Sequence, residues 1–165
     1  MVMEALLFIG IPGAGKSTFF RQRFFETHQH INRDTLRTKA RENALIEVCL
    51  SQQIRFVLDN TSPTFDVRAP FIARVKAAGF RVHAFYFEPD FAASRERNAR
   101  REGRARVPVA AIGGILKALQ RPSFDEGFDS IFSVWNHNEN GFEVSEWPRA
   151  CCSDNGNSVP MRLGN

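Results

Sequence analysis

Short apolar runs alternate along the chain with longer segments that mix apolar and polar residues. A run of about four to eight apolar or β-forming residues is typical of a strand, and a longer mixed segment favours a helix. The predicted strands cover residues 5–9, 30–32, 56–59, 81–87 and 131–135, and residues 142–147 are a candidate edge strand. Such alternation predicts an α/β domain built on a parallel sheet.

The predicted helices form the outer layers of this domain. They cover residues 18–25, 36–53, 65–78, 90–101 and 109–120, with Asp90 as an N-cap and Gly79 as a C-terminal stop. We therefore predict a doubly wound, five-stranded, mainly parallel sheet with helices on both faces. The predicted domain spans residues 1–147, and the polar, patternless residues 148–165 are predicted to form a flexible tail.

Composition and charge are those of an ordinary globular domain. The chain has 165 residues, of which 43% are hydrophobic and 24% are charged, so it suits one domain with a single core. There are 16 phenylalanines and 1 tyrosine, which indicates a core filled by phenylalanine. The net charge of +4 is compatible with a polyanionic partner but does not require one.

Targeting segments and cysteine usage indicate the cellular compartment in which we expect the protein. No segment approaches the ~20 apolar residues of a membrane span, and the N-terminus lacks the charged and apolar regions of a signal peptide. We therefore expect a cytoplasmic protein that does not enter a membrane. Cys49 and the adjacent Cys151 and Cys152 have no metal-ligand spacing, and in a reducing compartment we expect unpaired thiols.

A glycine-rich segment, residues 10–17, follows the first predicted strand and precedes the first predicted helix. It reads G-I-P-G-A-G-K-S and matches the phosphate-binding pattern G-x-x-x-x-G-K-[ST] at every fixed position. Because strand and helix are both in place, a chance glycine-rich turn is disfavoured. Lys16 is predicted to reach the β- and γ-phosphates and Ser17 to ligate Mg²⁺. The predicted nucleotide-binding residues of the loop are Gly10, Gly13, Ala14, Gly15, Lys16, Ser17 and Thr18.

Two aspartates are candidates for the remainder of the site. Asp59 ends a buried strand, and the carboxyl ends of parallel strands form a ligand crevice. A solvated turn residue is one interpretation of Asp59. Beside the phosphate loop we prefer the other, a role on the metal side of the site. Asp34 and Arg37 are three residues apart at the start of a predicted helix, which would put both on one face. Asp34 alone fits a helix N-cap, and beside a phosphate loop it is also a candidate base for an attacking hydroxyl.

An arginine-rich segment lies between positions 95 and 106. One interpretation is a solvated basic helix face, and the other is a lid over the nucleotide phosphates, because a guanidinium can bind two phosphate oxygens. Gly103 and the loop character of the segment fit a mobile lid. Arg97, Arg101 and Arg104 recur at helical spacing and are predicted to share one face. The six arginines are Arg95, Arg97, Arg100, Arg101, Arg104 and Arg106.

Five segments, in order, resemble the P-loop polynucleotide 5′-kinases and the related bacterial ATP-binding kinases. They are residues 10–18 (GIPGAGKST), 31–37 (INRDTLR), 57–64 (VLDNTSPT), 97–108 (RNARREGRARVP) and 126–131 (EGFDSI). The first is shared by many nucleotide enzymes, and the D-x-x-R and D-N-T-x-P segments narrow the match. The resemblance covers residues 6–134 and implies a P-loop kinase fold that uses ATP and Mg²⁺.

The resemblance also implies roles on the acceptor side. Asp34 would be the general base, and Arg37 would contact the acceptor or the transferring phosphate. Asp59 would belong to the metal or acceptor side, and Asn60 and Thr61 would shape that pocket.

The resemblance also bears on the arginines of the candidate lid and on the domain content of the chain. Arg101 would contact the donor phosphates with Arg97 and Arg104 as neighbours, although Arg100, Arg101, Arg104 and Arg106 are interchangeable at this spacing. Members of the resembled family often carry a phosphatase or ligase domain on the same chain. No segment here has the length or motifs for one, so a repair role would need a separate end-healing phosphatase.

The predicted activity is transfer of the ATP γ-phosphate to a hydroxyl, with the 5′-OH of RNA or DNA as the preferred acceptor. A kinase of a nucleoside, sugar or other small alcohol on the same fold is the alternative. A non-catalytic nucleotide-binding switch is a third interpretation, against which Asp34, Arg37 and Asp59 argue. The choice among RNA, DNA and metabolite acceptors, and the oligomeric state, stay open from sequence.

Overall fold

One six-stranded sheet organises the part of the protein that the structure describes. The computed structural model describes residues 2–149, apart from the side chain of Arg104, so the predicted tail from residue 150 onward lies outside the described residues, with Cys151 and Cys152. The strand order is β2-β3-β1-β4-β5-β6. The strands are β1 (Glu4–Ile9), β2 (Gln29–Asn32), β3 (Phe56–Asp59), β4 (Arg81–Phe87), β5 (Ser130–Asn136) and β6 (Phe142–Glu146).

The sheet is mainly parallel, as predicted. Strands β1 to β5 pair in parallel, and β6 pairs antiparallel with β5. The described sheet has six strands where five were predicted, because the candidate edge strand at residues 142–147 joins it as β6.

Within residues 2–149, six α-helices connect the strands. They are α1 (Lys16–Arg23), α2 (Arg33–Leu36), α3 (Lys39–Ser51), α4 (Phe65–Ala77), α5 (Phe91–Ala99) and α6 (Val109–Ala118). The helix predicted over residues 36–53 corresponds to α3, which begins three residues later, at Lys39, and ends at Ser51. Arg37 adopts a left-handed conformation with φ of 70°, and the Thr38 side chain then accepts from the Arg41 N–H as the N-cap of α3. Asp90 caps α5 through the Ala93 N–H, as predicted.

Helices cover both faces of the sheet, as predicted, because alternate residues of each buried strand point to opposite sides. On one side, Leu7 packs in a cluster with Ile46 of α3 and Phe71 of α4. On the other side, Phe8 packs in a cluster with Phe19 of α1 and Ile112 of α6. This second layer is rich in phenylalanine, and the ring centroids of Phe8 and Phe19 are 5.8 Å apart.

The strand register determines which residues meet at the carboxyl edge of the sheet. Strand β1 lies between β3 and β4, so the chain leaves it first toward one edge and later toward the other. Such a reversal opens a crevice at the carboxyl ends of the strands. Asn32, the last residue of β2, lies beside Asp59, the last residue of β3. None of the helices within residues 2–149 is long and apolar enough to span a membrane.

Candidate active site

A cavity of about 260 Å³ lies at the carboxyl edge of the sheet. Most of the residues predicted for the site line it, whereas Gly10, Ala14, Thr18, Arg37 and Arg97 do not. The lining residues are Pro12, Gly13, Gly15, Lys16, Ser17, Asn32, Asp34, Asp59, Asn60, Thr61, Arg101, Val107 and Ile115.

Lys16 is the buried cation of this cavity. Its Nζ donates to the carbonyls of Gly10 and Ile11, both at 3.0 Å, which leaves the third ammonium proton for another acceptor. Burial lowers the pKa of Lys16 from 10.5 to about 8, with a smaller lowering from Arg101, while Asp59 and Asp34 act in the opposite direction. A negatively charged ligand beside Lys16 would therefore meet a poorly solvated cation.

A hydrogen-bonded cluster surrounds the carboxylate of Asp59. Its Oδ2 accepts from Ser17 Oγ at 2.6 Å, from His30 Nε2 at 2.9 Å and from Asn32 Nδ2 at 3.0 Å. Burial acts to raise the pKa of Asp59, but the His30 hydrogen bond, the charge of Lys16 and the other two donors outweigh it and lower that pKa. Asp59 is therefore a buried, ionised carboxylate in direct contact with the loop serine.

The back of the glycine loop is held by residues distant in sequence. Arg97 Nε donates to the Gly13 carbonyl at 2.6 Å, and Asn136 Nδ2 donates to the Ala14 carbonyl at 2.9 Å. Gly13 has a φ of +83°, and a Cβ there would lie 2.3 Å from the Ser94 carbonyl oxygen. The structure places Arg97 behind the loop, as a support, and outside the cavity.

The front of the loop carries free donors. Within residues 2–149, the backbone N–H groups of Gly15, Lys16 and Ser17 donate to no protein acceptor. They lie at the N-terminus of α1, where the helix dipole favours an anion. This arrangement is able to bind a phosphate group.

Only part of the arginine-rich segment is helical: Arg95 and Arg97 lie in α5, and the residues after Ala99 form a loop with a short 3₁₀ turn at Gly103–Ala105. Helix α5 ends at Ala99, so the prediction that Arg97, Arg101 and Arg104 share one helix face is wrong. Near the end of α5, the buried side chain of Asn98 is hydrogen-bonded to the backbone of Val107. It donates to the Val107 carbonyl at 2.7 Å and accepts from the Val107 N–H at 2.9 Å, which ties the two ends of the following loop together. Arg101 lies within this closed loop and lines the cavity.

Asp34 and Arg37 lie on different local structures. Asp34 is exposed, belongs to α2 and lines the cavity. The true N-cap of α2 is Asn32, whose Oδ1 accepts from the backbone N–H of Asp34 at 2.8 Å. The prediction that Asp34 and Arg37 share a helix face is wrong, because α2 ends at Leu36 and Arg37 turns into the left-handed region. Arg37 lies outside the cavity.

Asn60 and Thr61 follow β3 and line the cavity beside Asp59. The Gly10 N–H donates to the Thr61 carbonyl at 3.1 Å, which joins this segment to the glycine loop. Asn60 Nδ2 donates to Glu42 Oε2 at 2.7 Å. The donor-side and acceptor-side candidates are therefore mechanically connected.

Sequence reasoning missed several residues of the site. Asn32 carried a signal, since it is a polar residue at the end of a strand directly before the R-D pair. His30, which stacks on Phe20 with ring centroids 4.0 Å apart and reaches Asp59, carried a weaker signal as a polar residue within the short strand β2. Asn136 carried none, because its contact with Ala14 joins positions 122 residues apart.

Comparison with known proteins identifies the family. A family model described as an AAA domain matches residues 6–122, which is more than half of the chain. A bifunctional polynucleotide phosphatase/kinase of Schizosaccharomyces pombe is 26% identical over 136 residues. A relative from Acanthamoeba polyphaga mimivirus, which carries the same designation provisionally, is 32% identical over 138 residues. Each match covers 79% of this chain and 33% of the relative, so the chain spans about one third of the length of these relatives.

Solved structures agree on the fold. Kti12 of Chaetomium thermophilum, in complex with ADP-AlF3, is similar with a TM-score of 0.60 at 14% identity, over 78% of this chain and 87% of that one. A sugar kinase from Janibacter sp. HTCC2649 is similar with a TM-score of 0.59 at 16% identity, over 81% of this chain and 85% of that one. The chain therefore belongs to the AAA domain family, has a P-loop kinase fold, and has relatives among the bifunctional polynucleotide phosphatase/kinases.

Proposed function

We propose that this protein transfers the γ-phosphate of ATP to the 5′-hydroxyl of RNA or DNA. The observation that carries this proposal is the meeting of Asp34 with Lys16, Ser17 and Asp59 around one cavity of about 260 Å³. A phosphoryl transfer needs a held donor phosphate and a base for the acceptor hydroxyl in the same space. The kinases among the named relatives support the choice of reaction.

The donor half would be formed by the glycine loop. The free N–H groups of Gly15 and Lys16 and the third proton of the Lys16 ammonium would bind the phosphates, and Arg101 would add charge from the loop above. Ser17 and Asp59 fit Mg²⁺, because they offer a hydroxyl and an ionised carboxylate and oxygen is the ligand that Mg²⁺ prefers. Bound there, Mg²⁺ would neutralise charge on the β- and γ-phosphates.

The acceptor half would be formed around Asp34. Its carboxylate would accept the proton of the 5′-hydroxyl as the hydroxyl oxygen bonds to the γ-phosphorus. The bond between that phosphorus and the β–γ bridging oxygen breaks, and ADP leaves with the electron pair. Asn60 and Thr61 would border the attacking hydroxyl, and Arg37, at the exposed end of α2, would contact a phosphate of the acceptor strand.

The test is an acceptor panel with γ-labelled ATP and Mg²⁺. The panel contains 5′-OH oligonucleotides of RNA and DNA, the same oligonucleotides with a 5′-phosphate, and a pool of sugars and nucleosides. The proposal predicts label on the 5′-OH strands alone, with rates that fall steeply as salt rises. Label confined to the small molecules would establish the small-molecule kinase, and ATP binding without any transfer would establish the nucleotide-binding switch.

Affinity for ATP should fall at alkaline pH because of Lys16. Its pKa of about 8 in the free protein would rise beside a triphosphate, so the complex would hold a proton that the free protein loses. Below about pH 7 the group is charged in both states and has no effect. Above pH 8, binding would take up a proton and Kd would increase toward roughly tenfold per pH unit.

Calorimetric titration between pH 7 and 9.5, in two buffers with different ionisation heats, measures this proton uptake. The matched control is Lys16→Met, which should bind more weakly but with a flat profile above pH 8. The same alkaline decline in both proteins would exclude Lys16 as its source.

A further inference from the structure

A second cavity, which the proposed chemistry does not use, lies between the N-terminal halves of α3 and α4. It has a volume of about 340 Å³, within the range of about 300–1,000 Å³ that is typical of ligand pockets. Its buried lining includes the apolar residues Leu7, Ile46, Leu58 and Phe71, together with Ser62 and with Arg68, which is paired with Glu126. We call this cavity the α3–α4 groove. The apolar part of its lining suits a flat ring more than a polyhydroxylated sugar.

The α3–α4 groove adjoins the active-site cavity. Asn60 lines both of them. Arg33, which lines the groove, directly precedes Asp34, which lines the active-site cavity, so the two side chains leave the backbone about 3.8 Å apart. A molecule bound in the groove can therefore present an adjoining group to Asp34.

The wall between the two cavities is held by a buried carboxylate. Glu42 accepts two hydrogen bonds from Arg33, both at 2.8 Å, and one from Asn60 at 2.7 Å. Only 4% of Glu42 is exposed, and the hydrogen bonds that Arg33 donates to Glu42 raise the pKa of Arg33 against a smaller effect of burial. The polar wall is thus fixed in orientation before any ligand binds.

The rim of the α3–α4 groove carries three basic side chains, two of which are paired with carboxylates. Arg33 and Lys39 lie at the end near the active site, and Arg74 closes the far end through contacts with Asn43 and Glu47. Among the described residues, Lys39 has no hydrogen-bond or ion-pair partner for its ammonium, which is exposed. An apolar lining with basic side chains at its rim is complementary to a base attached to a phosphodiester.

We propose that the α3–α4 groove binds the nucleobase of the first nucleotide of a 5′-OH polynucleotide. The phosphodiester that follows this nucleotide lies against Lys39 and Arg33, and the 5′-hydroxyl reaches Asp34. This inference rests on the proposed function and makes it more specific: the acceptor is recognised through its terminal base, largely by apolar and stacking contact. Such contact tolerates every base, because each base has a π-face.

The test fills the groove from an exposed position. Val67 lines the groove on α4 and is 57% exposed, so Val67→Trp should fold normally while its indole occupies the space of a base. Ala69→Trp is the matched control, because Ala69 is exposed on the same helix and does not line the groove. Asn43→Trp fills the groove from α3 and serves as a second variant if the first is unstable.

The measurement is kcat/KM for two 5′-OH oligonucleotides that differ only in whether the first nucleotide carries a base or is abasic. Wild type and Ala69→Trp should favour the intact strand by about tenfold or more, as expected for one stacked base. Val67→Trp should lose most of that preference by acting poorly on the intact strand, with KM for ATP unchanged.

The failures are distinguishable. An equal rate on the intact and abasic strands by wild type, or an unchanged preference in folded Val67→Trp and Asn43→Trp, would overturn the groove assignment and leave the kinase proposal standing. Absence of transfer to any polynucleotide would overturn the proposed function itself.

Discussion

Replacement of Asp34 by alanine is expected to lower kcat for phosphoryl transfer by about 10²- to 10⁴-fold, the usual contribution of a general base. Affinity for ATP should be nearly unchanged, because Asp34 stands on the acceptor side of the cavity. The fold should also be unaffected. The Asp34 side chain is exposed and makes no hydrogen bond or ion pair with the rest of residues 2–149. Single-turnover transfer to a 5′-OH oligonucleotide, together with a binding titration of ATP, measures both quantities.

Two further variants sharpen this prediction. Asp34→Asn keeps the size of the side chain and removes its basicity, so it should lose as much transfer as the alanine variant. Thr35→Ala changes the exposed neighbouring residue of α2 and should retain transfer. If Asp34→Ala transfers phosphate at the wild-type rate, another group must deprotonate the acceptor, and the assignment of Asp34 is wrong.

Replacement of Lys16 by methionine is expected to separate activity from stability. Transfer should fall by about 10²- to 10³-fold, since one preorganised charge on the transferring phosphoryl group is lost. At pH 7 the buried ammonium opposes folding, because its pKa is 10.5 in an unfolded chain and about 8 in the folded protein. That difference corresponds to roughly 3 kcal/mol, part of which the lost hydrogen bonds to Gly10 and Ile11 would cancel. The free energy of unfolding should therefore be unchanged or higher.

Urea unfolding at pH 7 and at pH 10 tests the stability half of this prediction. The gain from Lys16→Met should shrink at the higher pH, where the wild-type lysine is already largely neutral in the folded state. Lys117→Met is the control, because it removes an exposed lysine of α6 and should change neither stability nor transfer. A large loss of stability in Lys16→Met at pH 7 would mean that the ammonium holds the loop together, contrary to this account.

The sequence alone predicted those strands and motifs whose evidence lies within one short segment of the chain. The G-x-x-x-x-G-K-S segment, the apolar strand before it and the β-forming run at Arg81–Phe87 each contain their own evidence, and the parallel sheet follows from their alternation. Helix ends were less predictable. The break at Arg37 depends on capping by Thr38, and the end of α5 depends on the pairing of Asn98 with Val107.

Contacts between distant positions could not be obtained from a single sequence. Arg97 was predicted to contact phosphate because arginine suits phosphate, but its reach to the Gly13 carbonyl depends on how α5 packs behind the loop. The convergence of His30 and Asn32 on Asp59 depends on the parallel register of β2 and β3. The α3–α4 groove likewise requires the distance between two helices, which no sequence pattern records.

If the donor and acceptor halves meet in one cavity, a crystal structure of the complex with a non-hydrolysable ATP analogue and a 5′-OH dinucleotide should show both molecules bound there. We expect the β-phosphate on the N–H groups of Gly15 and Lys16, and the γ-phosphate within reach of the Lys16 ammonium. We expect the 5′-oxygen about 2.6–3.2 Å from the Asp34 carboxylate and in line with the bond to be broken. A dinucleotide bound with its 5′-oxygen out of reach of Asp34 would contradict this arrangement.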